Sequence, residues 1–304
     1  AVLGAQDHPN VAKGFWADHA FDLGGIDHVN EFSGNLILTI PIGQTYRGDG
    51  DLSYRLNLTY QSQLWDAREG APGTTAVKPS AIWNAGMGFL VTLGRILLPD
   101  SALNPDDELL YLSPDGAKRR FFDTLHPEDA DEDSGVQETR YTRDGSYLRL
   151  HVTGSLGAAY ILDFPDGAKH YFDPGGRLVG ISDPFLNLLA VSYGVTGTGG
   201  EVWTLNDGHR QHTIEFEART IDGVSRQMVK QVSLAAFAGG LATYDFSYSS
   251  ATVIRSCPDT DPGTLANATI PFLTSVTLPD GSSYAMPLAS SYVTDATAGN
   301  CKLS

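Results

Sequence analysis

Leu52-Ser53-Tyr54-Arg55-Leu56-Asn57-Leu58-Thr59-Tyr60-Gln61 is the stretch that decides the fold class. Its large apolar residues alternate with polar ones, a period of two that lines one face of a strand and would be scattered around a helix. The alternation returns at Leu148, Leu150 and Val152, at Tyr160, Leu162 and Phe164, and at Leu189, Val191 and Tyr193. It continues in Ile214 with Phe216, in Tyr244 with Phe246 and Tyr248, and in Val276 with Leu278. Only Met228 to Phe237 has room for a helical turn or two, and Val229, Val232 and Leu234 fit a strand equally well. An all-β chain is expected.

Outward from these strands, the punctuation is glycine and proline. Leu36 to Ile40 reads as a short strand stopped by Pro41, because proline has no N–H for a ladder. Asp66 to Ala81 reads as a loop, and 99–108 and 126–138 as acidic loops. Asp-Gly recurs between strands at Asp115-Gly116, Asp166-Gly167, Asp207-Gly208 and Asp280-Gly281, with further copies at Asp144-Gly145 and Asp222-Gly223. Asp-Gly suits a type I′ hairpin turn, in which both central residues take positive φ. Repeated hairpins imply an extended, curved antiparallel sheet. The organisation expected is a lead-in over 1–34, a hairpin array over 35–254, and a terminal hairpin and tail over 255–304.

The 304 residues hold 20 basic and 36 acidic side chains, a formal charge of −16. That field repels phosphate backbones and anionic headgroups, which disfavours nucleic-acid and membrane-surface partners. No apolar run is long enough to span a bilayer as a helix, and the residues from Ala1 lack the pattern of a leader. The two cysteines, Cys257 and Cys301, sit in polar, Gly/Pro/Ser-rich settings and read as a tied pair or as two free thiols. Tied, they would close a loop of about 44 residues, contribute roughly 2–4 kcal/mol and imply an oxidising, extracellular or cell-surface setting.

Tyr171-Phe172-Asp173-Pro174-Gly175-Gly176-Arg177-Leu178 leads through Ile181, Asp183, Leu186 and Asn187 to Val191-Ser192-Tyr193. This run resembles the YD-repeat, or RHS-repeat, family, with Asp173, Gly176, Arg177, Leu178, Ile181, Asp183 and Asn187 at matching places and Leu186 where glycine is usual. Asn30-Glu31-Phe32-Ser33-Gly34-Asn35-Leu36 and Leu58-Thr59-Tyr60-Gln61-Ser62 look like the opening of such proteins. The resemblance implies a sheet that spirals into a shell and non-catalytic work as an extracellular scaffold or adhesive surface. Its partners would be further repeats or other protein chains. The residues themselves add a physical role: Arg177 can lie across a tyrosine ring and pair with Asp173 or Asp183, and Tyr171 and Tyr193 can supply packed apolar area.

Catalytic and ligand readings are thinner. Paired carboxylates of a glycoside hydrolase are one alternative, since acidic residues abound. Asp129, Asp131 and Asp133 alternate like the start of a calcium loop, but the glycine comes late, at Gly135, and Arg140 stands where the bidentate glutamate belongs. His209 and His212 beside Asp207 lack a third nitrogen or sulfur ligand nearby, and there is no Gly-x-Ser-x-Gly elbow. No cofactor, metal or catalytic residue is therefore assigned. Trp16, Trp65, Trp83 and Trp203 offer platforms for sugar rings, which makes a glycan-binding surface the other alternative.

Overall fold

The computed structural model describes residues 21–23, 27–31, 34–69, 75–104, 107–123, 136, 138–155, 157–221, 224–253 and 268–287. Among them the structure is all-β and antiparallel, with a single 3-10 turn at Phe237–Gly239. A thirteen-stranded sheet runs from Phe122–Asp123 to Ser283–Ala285 with its strands in strict sequence order. Both of its edge strands are short, two and three residues, which limits the unpaired backbone on offer to another chain. The stretch from Met228 is strand, within Val224–Ala235.

The upstream residues form separate sheets. Phe21–Leu23, Asp27–Asn30, Leu36–Arg47, Ser53–Gln61 and Phe89–Leu90 make five strands, and Arg95–Leu97, Leu110–Leu112 and Lys118–Arg120 make three. Strands thus already begin within residues 1–34. Two sequence readings change here. The strand from Leu36 runs through Pro41 to Arg47, because beyond Leu38 it is paired on one side only and an open edge tolerates the missing N–H. The supposed loop after Asp66 is a hairpin, Trp65–Glu69 with Thr75–Pro79.

One hydrophobic core joins the layers. It takes Tyr46, Leu56 and Phe89 from the five-stranded sheet, Ile96 and Tyr111 from the three-stranded one, and Phe172, Leu205, Val232 and Leu273 from the large one. Backbone bonds stitch the layers together, from Val229 N to Asn84 O (2.6 Å), Met87 N to Pro271 O (3.0 Å) and Ile96 N to Gly176 O (2.9 Å). The core face of the large sheet is covered by described upstream residues between Ile42 and Phe121.

The Asp-Gly turns are hairpin turns of a different type from the one expected. At Asp115-Gly116, Asp166-Gly167 and Asp280-Gly281 only the glycine has positive φ, between 83° and 87°. In each, the glycine N–H bonds back to the residue three before it, as from Gly167 N to Phe164 O at 2.9 Å. The preceding proline is the cause: it sets φ near −65° at the first central position, which selects a type I turn with glycine in the left-handed bulge position.

Candidate functional site

The Tyr171 to Tyr193 run forms two tied turns. Asp173 accepts from the Arg177 backbone N–H at 2.8 Å and from its Nε at 3.0 Å, and the guanidinium lies 4.3 Å over the Tyr193 ring. The Tyr193 hydroxyl donates to Leu178 O at 2.6 Å. Gly176 has φ +73°, and a Cβ there would come within 2.1 Å of Ile96 O, so only glycine admits the edge strand Arg95–Leu97 at that point. Asp183 accepts from the N–H groups of Phe185 and Asn187, from the Asn187 side chain at 2.7 Å and from Asp51 N at 3.0 Å. Burial alone would raise its carboxyl, but these bonds outweigh it and hold it below the ordinary range. Arg177 and Asp183 are not brought together.

Leu178 is buried and Ile181 packs against the core, but Tyr171 does not enter it. Phe172 does, at 0% exposure, while Tyr171 lies on the opposite face across from Gly180, its hydroxyl 3.3 Å from Ser182 Oγ. Neighbouring strand residues face opposite ways, so only one of this aromatic pair can be core.

In a second polar cluster the nearness of Asp207 and His212 is visible in the sequence, but their link to Tyr54 is not. Tyr54 Oη donates to Asp207 Oδ2 at 2.7 Å and sits 2.9 Å from His212 Nε2. The Ala235 N–H donates to His212 Nδ1 at 3.0 Å, which places the imidazole proton on Nε2, facing Tyr54. Asp207 also accepts from the backbone of His209 and Arg210 and from Arg210 Nη1 at 3.1 Å. Burial raises and these donors lower the Asp207 carboxyl, with the donors prevailing; burial pushes the Tyr54 hydroxyl up and His212 down. Every partner is spent inside the protein, so the cluster is a lock between the Ser53–Gln61 strand and the Asp207 turn. His209 turns away to exposed Asp49, 3.1 Å from Nε2, so the two histidines share no ligand site.

Thr139, His151 and Asp163 stand in series on adjacent strands, with Thr139 Oγ1 3.3 Å from His151 Nδ1 and His151 Nε2 3.0 Å from Asp163 Oδ2. The order imitates a hydrolytic triad. Thr139 and His151 are both buried, however, and Asp163 is shared with Arg149 at 2.7 Å and Lys169 at 3.2 Å. Burial opposes ionisation of Asp163, but those three partners hold its carboxyl well below the ordinary range. The set is a cross-strand ladder rather than a poised nucleophile.

His170 packs on Phe164 with ring centroids 4.5 Å apart, and its Nδ1 is sealed without a hydrogen-bond partner. Burial pushes its pKa from 6.5 down to about 4. The folded protein therefore binds that proton less readily than the unfolded chain, and stability is full above about pH 6.5 and falls as pH drops towards 4. The loss reaches about 3 kcal/mol at one unit per 1.36 kcal/mol. Urea midpoints measured between pH 7 and 4.5 should fall steeply in the parent and less steeply in His170→Leu, with buried His212 supplying the remainder.

Successive turns of a meander alternate between two rims. Turns 142–148, 164–168, 183–187, 207–210, 236–240 and 278–282 share one of them, at a spacing of roughly 10 Å for every second strand. That rim carries Tyr147 (80% exposed), Phe185 (70%), Leu186 (72%) and Phe237 (90%), with Leu241 and Tyr284 beside them. Three of the four non-glycine residues with positive φ among the described residues are there too: Tyr147 (54°), Leu186 (67°) and Ala238 (58°). The left-handed conformation costs an L-residue about 1–2 kcal/mol, which glycine avoids. Exposed apolar side chains are thus held at tips where the backbone favours having no side chain.

Two of the other sequence candidates, both described, are taken up by packing. Trp83 is buried, and Trp203 packs between Tyr193 and Phe216, so neither offers a flat sugar platform. Trp16, Cys257, Cys301, Asp129, Asp131 and Asp133 lie outside the described residues. Among the described residues no group of three or more His, Cys, Asp or Glu is placed to hold a metal ion, and no helix is long and apolar enough to cross a membrane.

No protein-family model matches this sequence, and no curated protein is similar to it. Among solved structures it is similar to a chain in the crystal structure of TcdB2-TccC3-Cdc42, with a TM-score of 0.41 and 11% identity over 86% of this chain. The present chain spans 16% of that chain's length.

Proposed function

We propose that this protein is a non-catalytic scaffold of YD-repeat-like hairpins that works outside the cell or at its surface by protein contact. The observation that carries the reading is the rim of exposed Tyr147, Phe185, Leu186 and Phe237, three of its turns strained into the left-handed region at or beside those side chains. Strain retained at exposed positions has no packing role to justify it, which leaves contact with something else. The ionisable clusters support the same reading, since their partners are consumed in holding neighbouring strands and layers together. With a charge of −16 the chain repels a second copy of itself, so the counterpart is a neutral to basic protein surface with apolar hollows.

The test uses an amphipathic Lys/Leu peptide and its Glu/Leu counterpart as probes, on the parent chain and on the Tyr147→Gly/Leu186→Gly and Phe237→Ser variants. The Lys/Leu peptide is expected to bind saturably and at least tenfold more tightly than the acidic one, and binding should fall at least tenfold in the combined variant. Tyr147→Gly/Leu186→Gly should meanwhile be more stable, by about 0.5–1 kcal/mol per site, because each glycine relieves a left-handed residue. Binding that survives in the variant overturns the rim. Self-association lost in the variant assigns the rim to a second copy instead, and a glycan-array signal without peptide binding replaces the reading with sugar recognition.

A further inference from the structure

We infer that the indentation between the Arg95–Leu97 edge strand and the 173–177 turn is a binding pocket for a single carboxylate group. It lies on the rim opposite to the exposed aromatic turns and does not depend on the scaffold reading. Its walls include Gly94, Arg95, Arg177, Tyr193, Glu201 and Trp203. Arg95 and Arg177 are direct cross-strand partners through an isolated antiparallel bridge, a position in which like charges destabilise. Arg177 is satisfied there: Nε holds Asp173 at 3.0 Å, Nη1 reaches Glu201 at 3.6 Å, and its plane rests on Tyr193.

Arg95 has no such arrangement. Its side chain makes no hydrogen bond or ion pair among the described residues and is partly buried, and burial lowers its pKa more than the nearby Tyr193 and Glu201 raise it. A guanidinium is not deprotonated at any ordinary pH and brings five donors in a planar fork, so a part-buried one with no bonded acceptor leaves that fork open to an anion entering the indentation. Gly94 fixes the approach of this strand to the core: its φ is +120°, and a Cβ there would sit 2.7 Å from the hydroxyl of buried Tyr111, so only glycine lets the chain lie against that ring just before Arg95.

The surroundings select the class of anion. Asp173 and Glu201 balance the two arginines, so a monoanion adds one negative charge while a phosphate dianion adds two beside Glu201. A carboxylate also matches the fork with two parallel acceptors. The source is either an acidic side chain or C-terminus of a protein, or a free small carboxylate.

Nuclear magnetic resonance of the Arg95 Nε–H in the intact chain distinguishes these. Acetate, an uncharged-side-chain peptide ending in glutamate, inorganic phosphate and chloride are titrated at constant ionic strength. Acetate or the peptide should shift the Arg95 signal saturably, with phosphate and chloride at least tenfold weaker. Affinity should drop about tenfold in Arg95→Lys, which keeps the charge but loses the fork, and be lost in Arg95→Gln. A peptide at least tenfold tighter than acetate assigns the pocket to protein carboxylates, and equal affinities assign it to free ones. No saturable shift in the parent chain, a response to chloride equal to that of acetate, or undiminished binding in Arg95→Gln, which would show an adventitious ion only, overturns the pocket. The parent titration decides the matter even where a variant fails to fold.

Discussion

Phe172→Ala should destabilise the protein by about 3–5 kcal/mol in urea unfolding, whereas Tyr171→Ala should cost roughly 1 kcal/mol. Phe172 is fully buried, with Tyr111 6.1 Å away in an edge-to-face arrangement and the His170 ring 6.3 Å away. Its removal opens a cavity at the seam between the three-stranded sheet and the thirteen-stranded one, where both layers are already tied elsewhere and cannot collapse to fill it. Tyr171 is half-buried on the outer face, and its deletion removes one contact with the Ser182 hydroxyl. Equal costs for the two substitutions would mean that the strand Lys169–Phe172 presents the other face to the core.

Asp207→Ala should lose about 3 kcal/mol, and Tyr54→Phe about 1–2 kcal/mol. The Asp207 side chain is wholly out of solvent and gathers the Tyr54 hydroxyl, the Arg210 guanidinium and two backbone amides. Without it the buried hydroxyl has no acceptor and the two part-buried amides lose theirs. Arg210 is 39% exposed on its side chain and recovers part of its loss in water, which keeps the figure below that of a fully buried broken pair. In a double-mutant cycle, Tyr54→Phe and His212→Gln should couple by at least about 0.5 kcal/mol, since the phenol bridges the imidazole and the carboxylate. Additive costs would show that the three groups do not act as one lock.

Strand identity was readable because it is local. The alternation in Leu52 to Gln61 needs only the period of the backbone, and Leu52, Tyr54, Leu56 and Leu58 are buried as it requires. Past Leu58 it fails as a guide to burial: Thr59 and Gln61 are buried and Tyr60 only half-buried, because both faces are covered at that end of the strand. Turn positions were readable for the same reason, although the turn type was not taken from the proline that precedes Asp115, Asp166 and Asp280. The Trp65–Glu69 hairpin was missed because its pairing carries no apolar alternation strong enough to stand out from a Gly/Pro-rich setting.

Of the candidate sites, the turns around Asp173 and Asp183 could be anticipated, since each binds within four residues of itself. The Arg95 pocket and the rim could not. Arg95 meets Arg177 only after two sheets have packed, and Phe185 and Phe237 share a rim only because the number of strands between them is even.

By itself the sequence determined that the described chain is all-β, where its Asp-Gly hairpins turn and which charge it presents, because dihedral preference, side-chain alternation and formal charge act over a few residues. Tertiary structure alone decided that upstream residues between Ile42 and Phe121 cover the core face of the large sheet, that Phe172 rather than Tyr171 is core, and that Tyr54 locks onto Asp207 across 153 residues of chain. Those outcomes depend on how the volumes of two layers interlock and on which buried donors find acceptors, and neither is encoded in the period of any one strand.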